Sequence, residues 1–225
     1  MRFLSELRDK RATKANFLKA LFRLCKGYLG RPDLVAGLRI PRVGDELKEA
    51  PSDEDVRRAY SLLTDVREKA VYLMYATGGM RRTELLEADL EDLDLENRTL
   101  RLNHISESKK AGTAIFNEEC AEALEQWVNV RDQKYRWRKS PRLFTIDSNA
   151  YKRMWRKIKA GGLEITPKVL RLWHATKLGE LGVPDRYVNV LQGRAPVTVL
   201  QKHYTGTELK RLRLIYDKAG LRVLC

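Results

Sequence analysis

Cysteine, histidine and proline are scarce in this chain. Only Cys25, Cys120 and Cys225 occur in 225 residues, widely spaced and never as a CxxC pair. An odd, scattered set of thiols excludes a disulfide framework and a zinc ribbon, and points to a reducing compartment. The three histidines, His104, His174 and His203, are too few and too dispersed for a metal centre, so neither a metal nor a cofactor is expected. Fourteen glycines and seven prolines exclude collagen-like and low-complexity chains. No run approaches the roughly 20 apolar residues of a membrane span. The opening MRFLSELRDKR is charged too early for a secretory signal. These absences describe a soluble, intracellular protein with no membrane span.

Acid is also in short supply. Thirty Asp and Glu face 44 Lys and Arg, a net charge of +14, and the isoelectric point is about 9.8. Hydrophobic residues still make up 43% of the chain, enough to bury a core and to exclude intrinsic disorder. The length fits one domain of about 100–200 residues, or one with a small appendage. Such a basic balance points to a polyanionic partner, nucleic acid first and an anionic membrane surface as the alternative.

Residues 1–30 read as helix, with Phe17, Leu18, Leu21, Phe22, Leu24, Cys25 and Tyr28 interleaved with cations and closed by Gly27 and Gly30. Residues 31–51, interrupted by Pro32, Pro41, Pro51, Gly37 and Gly44, read as a linker. A new unit covers 52–225. Ser52 followed by Asp53, Glu54 and Asp55 predicts a capped helix start, with Val56, Tyr60 and Leu63 at helical spacing. An apolar helix over about 67–76 stops at Gly78-Gly79, and another begins near Arg81. Thr99 to Ile105 alternates with period two, and Thr113–Phe116 can return as its antiparallel partner after the basic turn SKKAG. From 118 onward the pattern is helix joined by short loops. The fold class expected is mostly α with a small antiparallel β-sheet. Segment 134–159 carries ten Lys or Arg against the single acid Asp147, with Tyr135, Trp137, Tyr151 and Trp155 between them. A one-signed run of this kind is read as DNA or RNA contact.

Four places carry candidate chemistry. In Gly79-Met80-Arg81-Arg82-Thr83-Glu84, an arginine at a helix start can meet a phosphate, and Glu84 at i+3 can brace its guanidinium. Lys110, with Lys109 as the alternative, sits in the hairpin turn and can carry an ammonium group into a groove. Thr166-Pro167-Lys168-Val169-Leu170-Arg171 sets two cations, three apart, on one exposed face near a helix N-terminus, where they oppose the helix dipole unless an anion meets them. Gln192-Gly193-Arg194 follows a helix stop, and Pro196 opens a short helix delivering Tyr204.

These motifs, in this order, resemble the tyrosine recombinase (phage integrase) family over roughly 52–216. GMRRTELL is similar to the family's G-L-R-x-S-E-L, SKKAG to its hairpin lysine, and His203-Tyr204 to the segment bearing its tyrosine. KVLR stands where the family usually has H-x-x-R, and QGR where it has L-G-H; both replacements keep a cation. The variant set is similar to that of integrases from archaeal spindle-shaped viruses and related archaeal plasmids. Residues 1–30 are similar to the last helices of the family's core-binding domain, as if a remnant of a DNA-clamping domain.

The resemblance implies an integrase catalytic domain and site-specific recombination without metal or ATP, on double-stranded DNA attachment sites, by a homotetramer in the host cytoplasm. It implies that Tyr204 attacks phosphorus and forms a 3′-phosphotyrosine bond, whose retained energy allows rejoining. Arg81, Arg171 and Arg194 would grip the phosphate oxygens. Lys110 would protonate the departing 5′ oxygen. Lys168 would take the tyrosine proton, which it can do only where neighbouring cations disfavour its charged form. Two other readings stay open: a type IB topoisomerase that relaxes DNA, and a non-catalytic basic DNA-binding module. The C-terminal segment 208–219 is amphipathic and would dock on a neighbouring subunit or on its own domain. Abundant Lys, Arg and Glu with four Gln fit a thermophilic host.

Overall fold

The computed structural model describes residues 11–42, 49–102, 113–134, 140–194 and 209–224. The chain divides into two units, Met1–Glu49 and Ala50–Cys225. In the first, helix α1 (Arg11–Phe22) runs into a wider π-helical turn (Arg23–Tyr28). That turn is marked by the Leu29 N–H donating to the Leu24 carbonyl at 2.9 Å. Gly30 then adopts φ +61° and stops the helix, and a 3₁₀ turn (Pro32–Val35) packs back on α1. Among the described residues of this unit, Ala15, Leu18, Cys25 and Val35 are buried.

The second unit is mostly helical: α2 (Asp53–Ser61), α3 (Val66–Gly78), α4 (Arg82–Leu86), α5 (Glu118–Lys134), α6 (Ser148–Ala160), α7 (Pro167–Glu180), α8 (Asp185–Leu191) and α9 (Leu209–Ala219). Starts are set by caps. Ser52, Asp65, Asp147 and Thr166 each accept from backbone N–H groups of the first turn that follows. Helix α3 is the axle of the core. Ala70 to Ala76 are fully buried without a polar face, because α3 packs against both α5 and α7. Its tyrosines still find partners: Tyr72 donates to the Val56 carbonyl at 2.8 Å, and the Tyr75 hydroxyl accepts from Tyr151 at 3.1 Å.

The sheet has three antiparallel strands in the order β1 (Leu93–Asp94), β2 (Thr99–Arg101), β3 (Thr113–Ile115). Leu93 faces Leu100, which faces Ala114. Mostly α with a small antiparallel sheet is therefore the fold. Strand β1 was not legible in sequence, since two residues are too few to show alternation.

Helix α9 packs on its own unit. Leu212 and Tyr216 are buried, and the Tyr216 hydroxyl donates to the Thr77 carbonyl at 2.8 Å. Arg98, at φ +51° in the β1–β2 turn, grips Asp217 through both carboxylate oxygens at 2.7 and 2.8 Å. Beyond α9, Glu119 accepts from the N–H groups of Val223 and Leu224 at 2.8 and 3.1 Å. Among the described residues no helix is long and apolar enough to cross a membrane.

Candidate active site

Three segments far apart in sequence meet around two arginines that share one carboxylate. Arg81 is the N-cap of α4 rather than a residue within it, with extended backbone (φ −79°, ψ 155°). Its N–H therefore faces the first turn and donates to Glu84 Oε2 at 2.6 Å, while its Nη1 donates to Glu84 Oε1 at 2.6 Å. One carboxylate thus fixes both ends of Arg81. The same Glu84 lies 3.9 Å from Nη1 of Arg171, and the Arg81 Nη1 is 3.5 Å from the Gly193 carbonyl.

The Arg171 guanidinium donates to two backbone carbonyls, Gly79 and Gln192, at 2.6 Å each. Sequence spacing placed Lys168 and Arg171 together on an exposed face. The structure corrects this. Arg171 is turned inward with its side chain 12% exposed, because two loop carbonyls and a carboxylate replace its water. Burial first, then the Arg81 charge, pushes Arg171 down to about 10, with Glu84 opposing and Arg194 adding to the effect. It still carries its charge at neutral pH.

Arg194 is exposed, just past Gly193 at φ +60°. Its N–H donates to the Asn189 carbonyl at 2.8 Å and its Nη1 to Asn189 Oδ1 at 3.4 Å. Lys168 is exposed in the first turn of α7. Lys110, with Lys109, and Tyr204, with His203, lie outside the described residues.

Two partners of this cluster received no role from sequence. Gly79 has φ +58°, and a Cβ there would sit 2.6 Å from His174 Nδ1. The Gly-Gly pair signalled a helix end, but only the packing shows which glycine is obligatory. Gln192 is 2% exposed and touches both Arg171 and His174. It lies inside the QGR motif, yet nothing local shows where its amide reaches. Gly79→Ala is expected to lose about 1–3 kcal/mol of stability, measured by chemical denaturation, since the buried ring has nowhere to retreat.

The wider surface is cationic. On α6, Ala150, Tyr151, Met154 and Ile158 face the core while Lys152, Arg153, Arg156 and Lys159 face outward. Not every cation in the basic segment is free: Lys157 is paired with Glu68 at 2.7 Å, Lys159 with Glu164 at 3.0 Å and Arg142 with Asp89 at 3.1 Å. Trp155 and Tyr151 form the inner wall of a cleft of about 580 Å³ rimmed by Arg82, Lys152, Arg156 and Lys159. A cationic rim of this kind can neutralise a polyanion, and a cluster of guanidinium groups can grip an oxyanion.

The sequence model of the phage integrase family matches residues 52–210. The chain belongs to that family. Its members are DNA strand transferases of the tyrosine recombinase type that work without metal, and this integrase-family chain is one of them. Tyrosine recombinase XerA of Pyrococcus horikoshii is 26% identical over 234 residues, covering 98% of this chain and 79% of that protein. A crystal structure of XerA recombinase superposes with a TM-score of 0.58 at 24% identity, over 98% of this chain and 82% of the other. The Tn1549 transposon integrase, solved in complex with circular intermediate DNA, superposes with a TM-score of 0.61 at 18% identity, over 94% and 80% of the two chains.

Proposed function

We propose that this chain is the integrase of a viral or plasmid genome, of the kind carried by archaeal spindle-shaped viruses and related plasmids. It cleaves and rejoins double-stranded attachment sites through a 3′-phosphotyrosine bond at Tyr204. The observation that supports the reading is the meeting of Arg81 and Arg171 at Glu84, with the Gly193 carbonyl 3.5 Å from Arg81. Arg81 and Arg171 hold the non-bridging oxygens of the scissile phosphate, and Arg194 adds charge from the exposed side. Their forks are fixed before DNA arrives, so little reorganisation is needed as charge develops in the transition state. Lys168 takes the tyrosine proton and Lys110 supplies one to the 5′ oxygen. The cationic face of α6 holds the duplex, residues 1–30 belong to a DNA clamp, and 31–51 link it to the catalytic unit. The assembly is a homotetramer on paired sites, acting in the cytoplasm of a thermophilic host.

Duplexes nicked beside the scissile phosphate test this, because the released fragment diffuses away and traps the enzyme on DNA. The expected result is a covalent protein–DNA adduct, together with strand exchange between two cognate sites. Adduct and supercoil relaxation without exchange would assign a topoisomerase. Retarded mobility with no adduct would leave a binding module. Affinity should fall steeply with salt, as the release of counterions from many phosphate contacts requires.

A further inference from the structure

We propose that Gln192, backed by His174, is the positioning residue for Arg171, joining the arginine's own backbone to the loop its guanidinium must reach. This rests on the reading of Arg171 as a phosphate-gripping group. The Gln192 carbonyl accepts from Arg171 Nη2 at 2.6 Å, while the Gln192 side-chain Nε2 donates back to the Arg171 carbonyl at 2.7 Å. One residue therefore holds both ends of the arginine. The Gln192 Nε2 also lies 3.0 Å from His174 Nδ1, a contact in which the amide donates when the imidazole proton sits on Nε2. Burial, and then the neighbouring Arg171 charge, push His174 down to about 3, so the ring is neutral and keeps one nitrogen able to accept.

The imidazole also reaches the other side of the site. It is fully buried against Gly79, whose carbonyl is the second acceptor of Arg171 at 2.6 Å. His174 thus acts as a spacer between the two loops that present carbonyls to one guanidinium. Arginine has many rotamers, and a grip on phosphate is effective only when a single one is held. Oε1 of Gln192 meets no donor among the described residues, so the amide is oriented through its two N–H groups alone. Leucine, which the family resemblance places at this position, would fill similar space and make neither bond.

The test uses the full chain with Gln192→Leu, and Gln192→Met as a second volume-conserving variant should the first fail to fold. Single-turnover cleavage is followed on nicked duplexes carrying either an ordinary scissile phosphodiester or a methylphosphonate, which lacks one charged oxygen. The expected result is a 10–100-fold slower cleavage of the phosphodiester, with DNA Kd changed less than threefold and the melting midpoint preserved. On the methylphosphonate, where the guanidinium has less charge to stabilise, the loss should shrink to less than threefold. An unchanged rate, an equal loss on both substrates, or a parallel loss of binding would each overturn the proposal and leave Gln192 as packing. Arg171→Ala serves as the separating arm. If that variant cleaved the phosphodiester at the wild-type rate, the reading of the site itself would fail. If it did not, and Gln192→Leu did, only the positioning role would fall.

Discussion

Arg171→Ala is expected to slow cleavage of a nicked duplex by at least about 100–1000-fold, the range lost when one preorganised charge-stabilising donor is removed. DNA affinity should change less than about threefold, because contacts that position a duplex are spread over many cations. Both parts follow from geometry. Arg171 is only 12% exposed and is spent on Gly79, Gln192 and Glu84, so it contributes little area to a duplex interface. What it can offer is a fixed fork at one point. Arg171→Lys should not rescue, since an ammonium group cannot span two carbonyls and present a planar pair of donors. Single-turnover cleavage and gel-shift titration on one duplex give both quantities. Equal losses in the two would make Arg171 a clamp residue instead. Some stability should also be lost, because the Gly79 and Gln192 carbonyls would keep their positions without their donor.

Tyr204→Phe is expected to abolish the covalent adduct entirely while leaving DNA binding within about twofold, since the change removes one oxygen and no charge. Five of the described tyrosines of the second unit make poor substitutes. Burial raises the phenols of Tyr60, Tyr72, Tyr75, Tyr151 and Tyr216 above their ordinary value. Several are also committed: Tyr72 to the Val56 carbonyl, Tyr151 to the Tyr75 hydroxyl and Tyr216 to the Thr77 carbonyl. A phenol that resists ionisation and already donates its proton inside a core is a weak nucleophile. Denaturing gels of wild type and variant on a nicked duplex decide the matter, and an adduct persisting in Tyr204→Phe would move the nucleophile elsewhere.

Much of the architecture was legible because its signals are local. Caps at Ser52 and Thr166, the apolar run through Val71 and Met74, and the alternation read over Thr99–Ile105 each act within a few residues; the helices follow, and so does the strand pair over Thr99–Arg101, 103–105 lying outside the described residues. Glu84 bracing Arg81 was legible for the same reason, being an i,i+3 pair. The basic character of the surface is simple addition of charge. Strand β1 escaped, since two residues joined to β2 by a short turn leave no period to detect. The inward turn of Arg171 escaped for a different reason. Its spacing from Lys168 sets a helical face, while its rotamer depends on carbonyls 92 and 21 positions away.

The chain by itself determined which residue types are available for chemistry and in what order they come, because caps, periodicity and charge are properties of short windows. Which of those side chains share a carboxylate, which guanidinium loses its water, and that a neutral His174 and the amide of Gln192 stand behind Arg171 were decided only by tertiary packing. Burial and long-range hydrogen bonds are set by what the rest of the fold brings alongside, and no local window contains that.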